Sequence, residues 1–258
     1  MVTRPAQQAK SLCRILEEAG AQVIRWPVIG IEDPRDLASA RAVVDRIAEF
    51  DLAVFVSVNA AWRGMRLIGE REVSWRHLKT FAVGKATAVA LRQLGLTSAL
   101  YPPEDYSTEG LLSMEELQPH VVTGRHIVIF RGEGGREVLA QALRDRGARV
   151  EYAEVYRRTC PDSDPRVVES HWACGQLDII VVTSVEALNN LFHMFRNQRE
   201  RLLGTAVLIT SRRLATHVCQ LGFSQPPVVA KNAGDACLLE ALRAWLISMQ
   251  HERSGCGR

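Results

Sequence analysis

The chain carries an internal repeat at one constant offset. RPAQQAKSLCRILEEAGAQV (4–23) aligns without a gap on RGEGGREVLAQALRDRGARV (131–150). Arg4 falls on Arg131, Leu12 on Leu139, Leu16 on Leu143, Gly20 on Gly147 and Val23 on Val150, each 127 positions apart. The same shift lays Asp51 on Asp178, Ser57 on Ser184, Val58 on Val185 and Ala60 on Ala187. It also carries QLG at 93–95 onto QLG at 220–222, and Leu111-Leu112 onto Leu238-Leu239. Chance likeness among strand–helix patterns would need a different shift at each motif. Two copies of one unit nearly fill the 258 residues, so the chain reads as a duplication.

Periodicity gives the content of a unit. In 6–19, Leu12, Ile15, Leu16 and Ala19 share one helical face, and Gly20 ends the helix. AQVIRWPVIGIE follows as an extended segment closed by Asp33-Pro34. A helix at 36–48, the strand LAVFVS (52–57), a helix from Ala60, the strand TFAVG (80–84) and a helix Lys85–Leu94 come next. SALYPP (98–103) reads as a short strand, and Tyr106–Leu117 as a helix capped by Ser107-Thr108. The second unit repeats the order. RHIVIF (125–130) is a strand, Glu133–Arg146 includes a helix, and RVEYAEVYRR (149–158) is extended. DIIVVTS (178–184), AVLITS (206–211) and PPVVAK (226–231) are strands. Helices follow each, to about 196, to Leu221 and over Gly234–Met249. Strands alternating with helices imply α/β architecture, with two doubly wound, mostly parallel sheets covered on both faces. Ligands in such sheets sit at the carboxyl ends of strands, and two joined domains make a cleft. Under the offset Ile127 maps to position zero, so either the first strand of the first unit is short or the start of the chain is late.

Composition narrows the function. A formal charge of +3 is too weak and scattered for a DNA footprint, and 6% aromatics argue against a base-stacking platform. No apolar run reaches about 18 residues, so no membrane helix is expected, and MVTRPAQQAK lacks the apolar region of a signal peptide. The cysteines at 13, 160, 174, 219, 237 and 256 form no CxxC and read as reduced thiols of a cytoplasmic protein. No P-loop is present, since Gly84-Lys85-Ala86-Thr87 lacks the leading glycine. The run 131–137 departs from GxGxxG at Glu137. HExxH, GxSxG and helically spaced histidine pairs are absent.

What recurs is a small hydroxyl residue or glycine at each strand end. These are Thr3-Arg4-Pro5, Ser57-Val58-Asn59, Val83-Gly84-Lys85, Arg131-Gly132, Thr183-Ser184-Val185 and Thr210-Ser211-Arg212. Such turns expose N–H groups at helix starts, where anions bind. Any one of them alone also fits ordinary capping. Six together, with Arg4, Lys85, Arg131 and Arg212 nearby, point to a small polyanionic ligand. Tyr156 has Ile29 as its counterpart, so it breaks the repeat. Its phenol fits either a proton donor at a hinge or a half-buried linker aromatic.

The ordered motifs resemble one family. They are TRP at 3–5 with Pro27, D-x-x-V-F-V-S-x-N-A at 51–60, VGKATAVAL at 83–91 and YPP-x-x-x-S-T-E-G-L-L at 101–112. FRGEGGREVL at 130–139, V-Y-R-R-x-x-P at 155–161, VVTS at 181–184 and SRRLA at 211–215 complete the set. No one motif is specific, but their order over nearly the full chain resembles uroporphyrinogen-III synthase. The resemblance implies two α/β domains joined by a two-stranded linker, Val23–Glu32 and Val150–Arg158. The first domain would be discontinuous, 1–32 with 162–258, and the second would be 36–157. It implies closure of hydroxymethylbilane with loss of water and inversion of ring D, without metal or cofactor. By motif, Tyr156 matches a linker tyrosine that helps the hydroxyl depart, and Thr87 the threonine of the GxAT turn. Ser57, Ser184 and Ser211 match strand-end serines, and Arg131 and Gly132 the RG turn. With Arg4, Asn59, Gly84, Lys85, Ser107 and Gly110 these make the candidate substrate-binding set of a cytoplasmic monomer. Neither nucleic acid nor membrane is expected as a partner. A non-catalytic two-domain binding or sensor protein for a small polyanion is the competing reading, and a nucleotide-dependent transferase would need the absent phosphate loop.

Overall fold

The structure, a computed structural model, describes residues 1–71 and 74–255, with side chains to 250. In chain order the elements are α1 (Ala6–Glu18), β1 (Gly30–Glu32), α2 (Leu37–Asp45), β2 (Leu52–Phe55), α3 (Val58–Arg71), β3 (Lys79–Ala82) and α4 (Lys85–Gln93). Then come α5 (Thr108–Leu112), α6 (Pro119–Val122), β4 (His126–Gly132), α7 (Val138–Asp145), β5 (Arg149–Thr159), α8 (Arg166–Ala173) and β6 (Ile179–Val181). The last are α9 (Val185–Met194), α10 (Arg199–Gly204), β7 (Ala206–Ile209), α11 (Arg212–Leu221), β8 (Val228–Val229) and α12 (Asp235–Gly255).

The chain divides into two compact units, Met1–Gly30 with Thr159–Arg258, and Ile31–Arg158. The continuous unit holds a sheet in the order β1-β5-β4-β2-β3. Its β2 to β5 pairings are parallel, and β2 is buried along its whole length. Parallel strands covered on both faces need apolar side chains on both, which LAVF and HIVIF supply. Two cores result. One is built on Phe55, Val128, Phe130 and Val155, the other on Val54, Ile127, Ile129 and Leu143.

The discontinuous unit orders β6-β7-β8, all parallel. Its missing inner strand is supplied by the first three residues. Val2 bridges Val181 on one side and Arg25 on the other. The Met1 amine donates to Ile179 O at 2.8 Å, Val181 N–H to Met1 O at 2.9 Å and Trp26 N–H to Val2 O at 2.9 Å. Residues 1–3 thus lie inside the sheet, in the place of that strand. Burial pulls the Met1 amine down to about 6, opposed by the Asp178 carboxylate.

The pairings of one sheet map onto the other by the sequence offset. Val54 opposite Ile129, and Ile129 opposite Tyr152, become Val181 opposite Val2, and Val2 opposite Arg25. Leu52 opposite Lys79 becomes Ile179 opposite Ala206. The shift is 127 in every case (181 − 54, 206 − 79). Left-handed glycines follow it too: Gly20 and Gly147 have φ 90° and 85°, and Gly95 and Gly222 have φ 89° and 88°. Each ends a helix in a conformation that a Cβ disfavours.

Several elements differ from the sequence reading. SALYPP contributes only a bridge from Leu100 to Phe81, because prolines at 102 and 103 stop the ladder. PPVVAK narrows to Val228–Val229. Residues 106–117 split into α5 and a 3-10 turn at Glu115–Leu117. Helix α7 starts only at Val138, since residues 133–137 form a turn beside Arg131. Helices α6, α8 and α10 lay outside the reading. Helix α12 runs past Met249 to Gly255, and Cys256 lies outside the described residues.

Candidate functional site

In the unit Ile31–Arg158 the strand ends gather around Tyr156. Strand β2 ends at Phe55, and Ser57 then caps α3, its Oγ accepting the Ala60 N–H at 3.1 Å. The same Oγ lies 3.1 Å from the Tyr156 phenol oxygen. Tyr156 is 3% exposed, so it is a buried residue rather than a half-buried one. Gly132, the last residue of β4, stands opposite it in the sheet. A Cβ on Gly132 would sit 2.7 Å from the Tyr156 ring, so glycine is required there by the ring.

Two further polar groups occupy the first turns of the neighbouring helices. Asn59 in α3 and Thr87 in α4 are buried, at 7% and 5% exposure. Among the described residues neither side chain has a hydrogen-bond partner. Gly84 caps α4, and a Cβ there would press on Tyr106 at 2.9 Å. Lys85, the first residue of α4, is exposed. Ser107 caps α5 through the Gly110 N–H at 3.0 Å. At Gly110 a Cβ would fall on the Asp105 carbonyl oxygen, so this glycine serves the turn itself.

Arg131 is already engaged. Its side chain is 9% exposed and bonds Glu154 through Nε and Nη2, at 3.0 and 2.9 Å. Nη1 bonds Glu137 at 2.7 Å. The guanidinium lies 3.6 Å over the Tyr152 ring, and the Tyr152 hydroxyl donates to Glu137. That hydroxyl first, and Arg131 second, hold the Glu137 carboxyl below its ordinary range. Burial pushes the Tyr152 phenol upward, with Glu137 adding to it. Sequence reasoning had no place for Glu137, Tyr152 or Glu154. The one signal was the cross-strand pair Arg131–Glu154, which appears once the β4–β5 register is drawn.

The other unit repeats the capping pattern without the tyrosine. Ser184 caps α9 through the Ala187 N–H at 3.1 Å, and Ser211 caps α11 through the Leu214 N–H at 3.2 Å. A capping serine satisfies one of the four orphan N–H groups and leaves others at the helix start. Arg4, the counterpart of Arg131, bonds Asp235 at the start of α12 at 2.7 Å and also the Ala233 carbonyl. No helix of the described residues is long and apolar enough to cross a membrane.

Comparison with known proteins adds the following. Residues 10–240 match the family model described as uroporphyrinogen-III synthase HemD. The chain is 32% identical to the uroporphyrinogen-III synthase of Escherichia coli K12 over 246 residues, covering 94% of this chain and 99% of that one. Against the protein of that name from Synechococcus elongatus the identity is 27%, covering 95% and 94%. Among solved structures, a mutant uroporphyrinogen III synthase from the extremely thermophilic bacterium Thermus thermophilus superposes with a TM-score of 0.59 at 18% identity, covering 96% of this chain and 99% of that one. The uroporphyrinogen-III synthetase of Helicobacter pylori gives 0.57 at 15% identity, covering 87% and 95%. At these identities the structural likeness shows the fold.

Proposed function

The chain belongs to the uroporphyrinogen-III synthase family, a cyclising lyase of tetrapyrrole biosynthesis, and from that membership we propose that its chemistry is centred on Tyr156. The substrate is hydroxymethylbilane, which closes with loss of its hydroxyl as water and inversion of ring D. The observation that carries the reading is the buried phenol held 3.1 Å from Ser57 Oγ at the end of β2.

Ser57 Oγ is oriented by the Ala60 N–H. Its own proton can then point at the Tyr156 oxygen, which leaves the phenol O–H for the departing hydroxyl. Protonating that hydroxyl turns a poor leaving group into water. The cation left behind must then be held so that ring D attacks through its substituted carbon, which is a matter of orientation and water exclusion. Asn59 and Thr87, with unused hydrogen-bonding capacity, and the N–H groups at the starts of α3 and α4 are suited to acetate and propionate carboxylates. Lys85 adds a free cation. Gly132 serves by leaving room for the phenol, and Gly84 and Ser107 shape the turns beside it. In the other unit the N–H groups beside Ser184 and Ser211 have the same capacity, whereas Arg4 is tied to Asp235. We place the protein in the cytoplasm as a monomer, in keeping with five free cysteines among the described residues.

The test is a coupled assay. Hydroxymethylbilane is generated in place and the oxidised porphyrins are separated into isomers I and III. A dominant isomer III that depends on this protein is the expected result. Isomer I alone, the product of unassisted closure, from a folded sample overturns the reading and favours the binding protein.

A further inference from the structure

The β4–β5 pair runs in register from His126 opposite Arg149 to Arg131 opposite Glu154, then shifts, so that Gly132 stands opposite Tyr156 and Val155 is passed over. The shift changes which way Tyr156 faces. Along β5, Val150 and Tyr152 pack on one core, and Ala153 and Val155 on the other. Strand alternation would send Tyr156 to the Tyr152 side. Instead it packs with Ala153 and Val155, on the side of Phe55 and Phe130, where it meets Ser57. An extra residue in one strand is a bulge, and bulges re-aim side chains.

Arg131 sits at the last regular pair before the shift. It grips Glu154 on the opposite strand with two nitrogens, and Glu137 in the turn beyond with a third. The turn is stitched back to the bulged strand by Glu133 N–H donating to Tyr156 O at 2.9 Å. The side chain has no donor-rich face left open, being 9% exposed and covered by the Tyr152 ring. We infer that Arg131 is a positioning residue: clamped between Glu154 and Glu137, it holds the register shift that turns Tyr156 onto Ser57, and it takes no substrate carboxylate. The inference rests on the reading of Tyr156 given above. The repeat agrees with it, because Glu154 falls on Pro27 and Glu137 on Lys10. The half without the tyrosine also lacks the clamp.

The experiment labels the protein with 3-fluorotyrosine, which gives four signals, one from each tyrosine. The Tyr156 signal is the one lost in Tyr156→Phe. Arg131→Lys keeps the charge but cannot span two carboxylates with a planar fork. In that variant the Tyr156 signal is expected to move while the protein stays folded. kcat is expected to fall about tenfold with KM changed by less than about twofold. Placed in the Tyr156→Phe background, the same change should cost less than about twofold, because both act through one group. If Arg131→Lys does not fold, Glu154→Gln takes its place, with the same directions expected. A Tyr156 signal that stays put overturns the inference. So does a KM raised about tenfold at unchanged kcat, which marks a carboxylate ligand, or a cycle in which the two losses multiply. A wild-type protein that makes no isomer III overturns the functional reading instead, and the fluorine signal still decides the clamp.

Discussion

Removing one oxygen from Tyr156 separates chemistry from folding. Tyr156→Phe keeps the ring that packs over Gly132 and loses only the bond to Ser57. The expected loss is about a hundredfold in kcat, with stability changed by about 1 kcal/mol. Near-normal turnover would remove the phenol from the mechanism. Gly132→Ala works from the opposite side. Its Cβ would stand 2.7 Å from the ring carbons, so the tyrosine must move or the strands must part. A stability loss of about 1–3 kcal/mol is expected by chemical denaturation, together with lost isomer III. An alanine variant of full stability and activity would show that the ring yields freely. Tyr156 was legible as an asymmetry of the repeat and as a motif residue. Its direction was not, because alternation along β5 points it to the wrong face and the bulge leaves no mark in VEYAEVYRR. Arg131 was legible as a strand-end cation. Its commitment to Glu137 and Glu154 depends on a strand register and a turn that local sequence does not define.

Among the elements, the capping serines carry the clearest energetic prediction. Ser184 and Ser211 each accept one N–H, from Ala187 and Leu214. Replacement of either by alanine should lower stability by about 1 kcal/mol, and by glycine only a few tenths. Equal losses for alanine and glycine in urea unfolding would mean that the hydroxyl has a role other than capping. Helices ending in glycine, and strands apolar on both faces, were readable because capping and burial are local signals. Helix α8 was missed although the offset alone places it: residues 166–173 fall on 39–46, largely within α2. Its sequence RVVESHWA has only Val168 fully buried, so little of it marks a core-facing helix. The strand at 98–103 failed for the converse reason. Apolar residues marked it, but prolines left it a single bridge.

At the scale of the whole chain, the buried α-amine sets a pH dependence. Its value is about 6 in the fold against 8.0 for the ordinary group. Between these values the unfolded chain binds more protons than the folded one. Stability therefore rises as pH goes from about 6 to 8 and is lost as pH falls through that window. The difference is about 2–3 kcal/mol at most. Melting midpoints at the two ends of the range should differ in this direction, and the difference should shrink in protein acetylated at Met1. An unchanged difference after acetylation would assign the effect to other groups.

The discontinuous unit also has an order of assembly. Residues 1–30 leave the ribosome ahead of the other unit, yet their partner strand β6 follows only after the 128 residues of Ile31–Arg158. At about 5–20 residues per second that interval is on the order of ten seconds. Throughout it α1 holds Leu12, Cys13 and Leu16, all buried in the finished unit, with nothing to cover them. A competitor is close at hand. Residues 1–23 share the pairing register of 128–150, so as soon as β2 emerges the first copy can occupy the slot meant for β4 and α7. Three residues compete there with the seven of β4. How tightly residues 1–3 pair in that slot sets how readily the right half displaces the wrong one. Extending that pairing to match β4 should slow refolding and leave chains trapped with their halves exchanged, seen as a slow phase that shortens again when the added residues are removed.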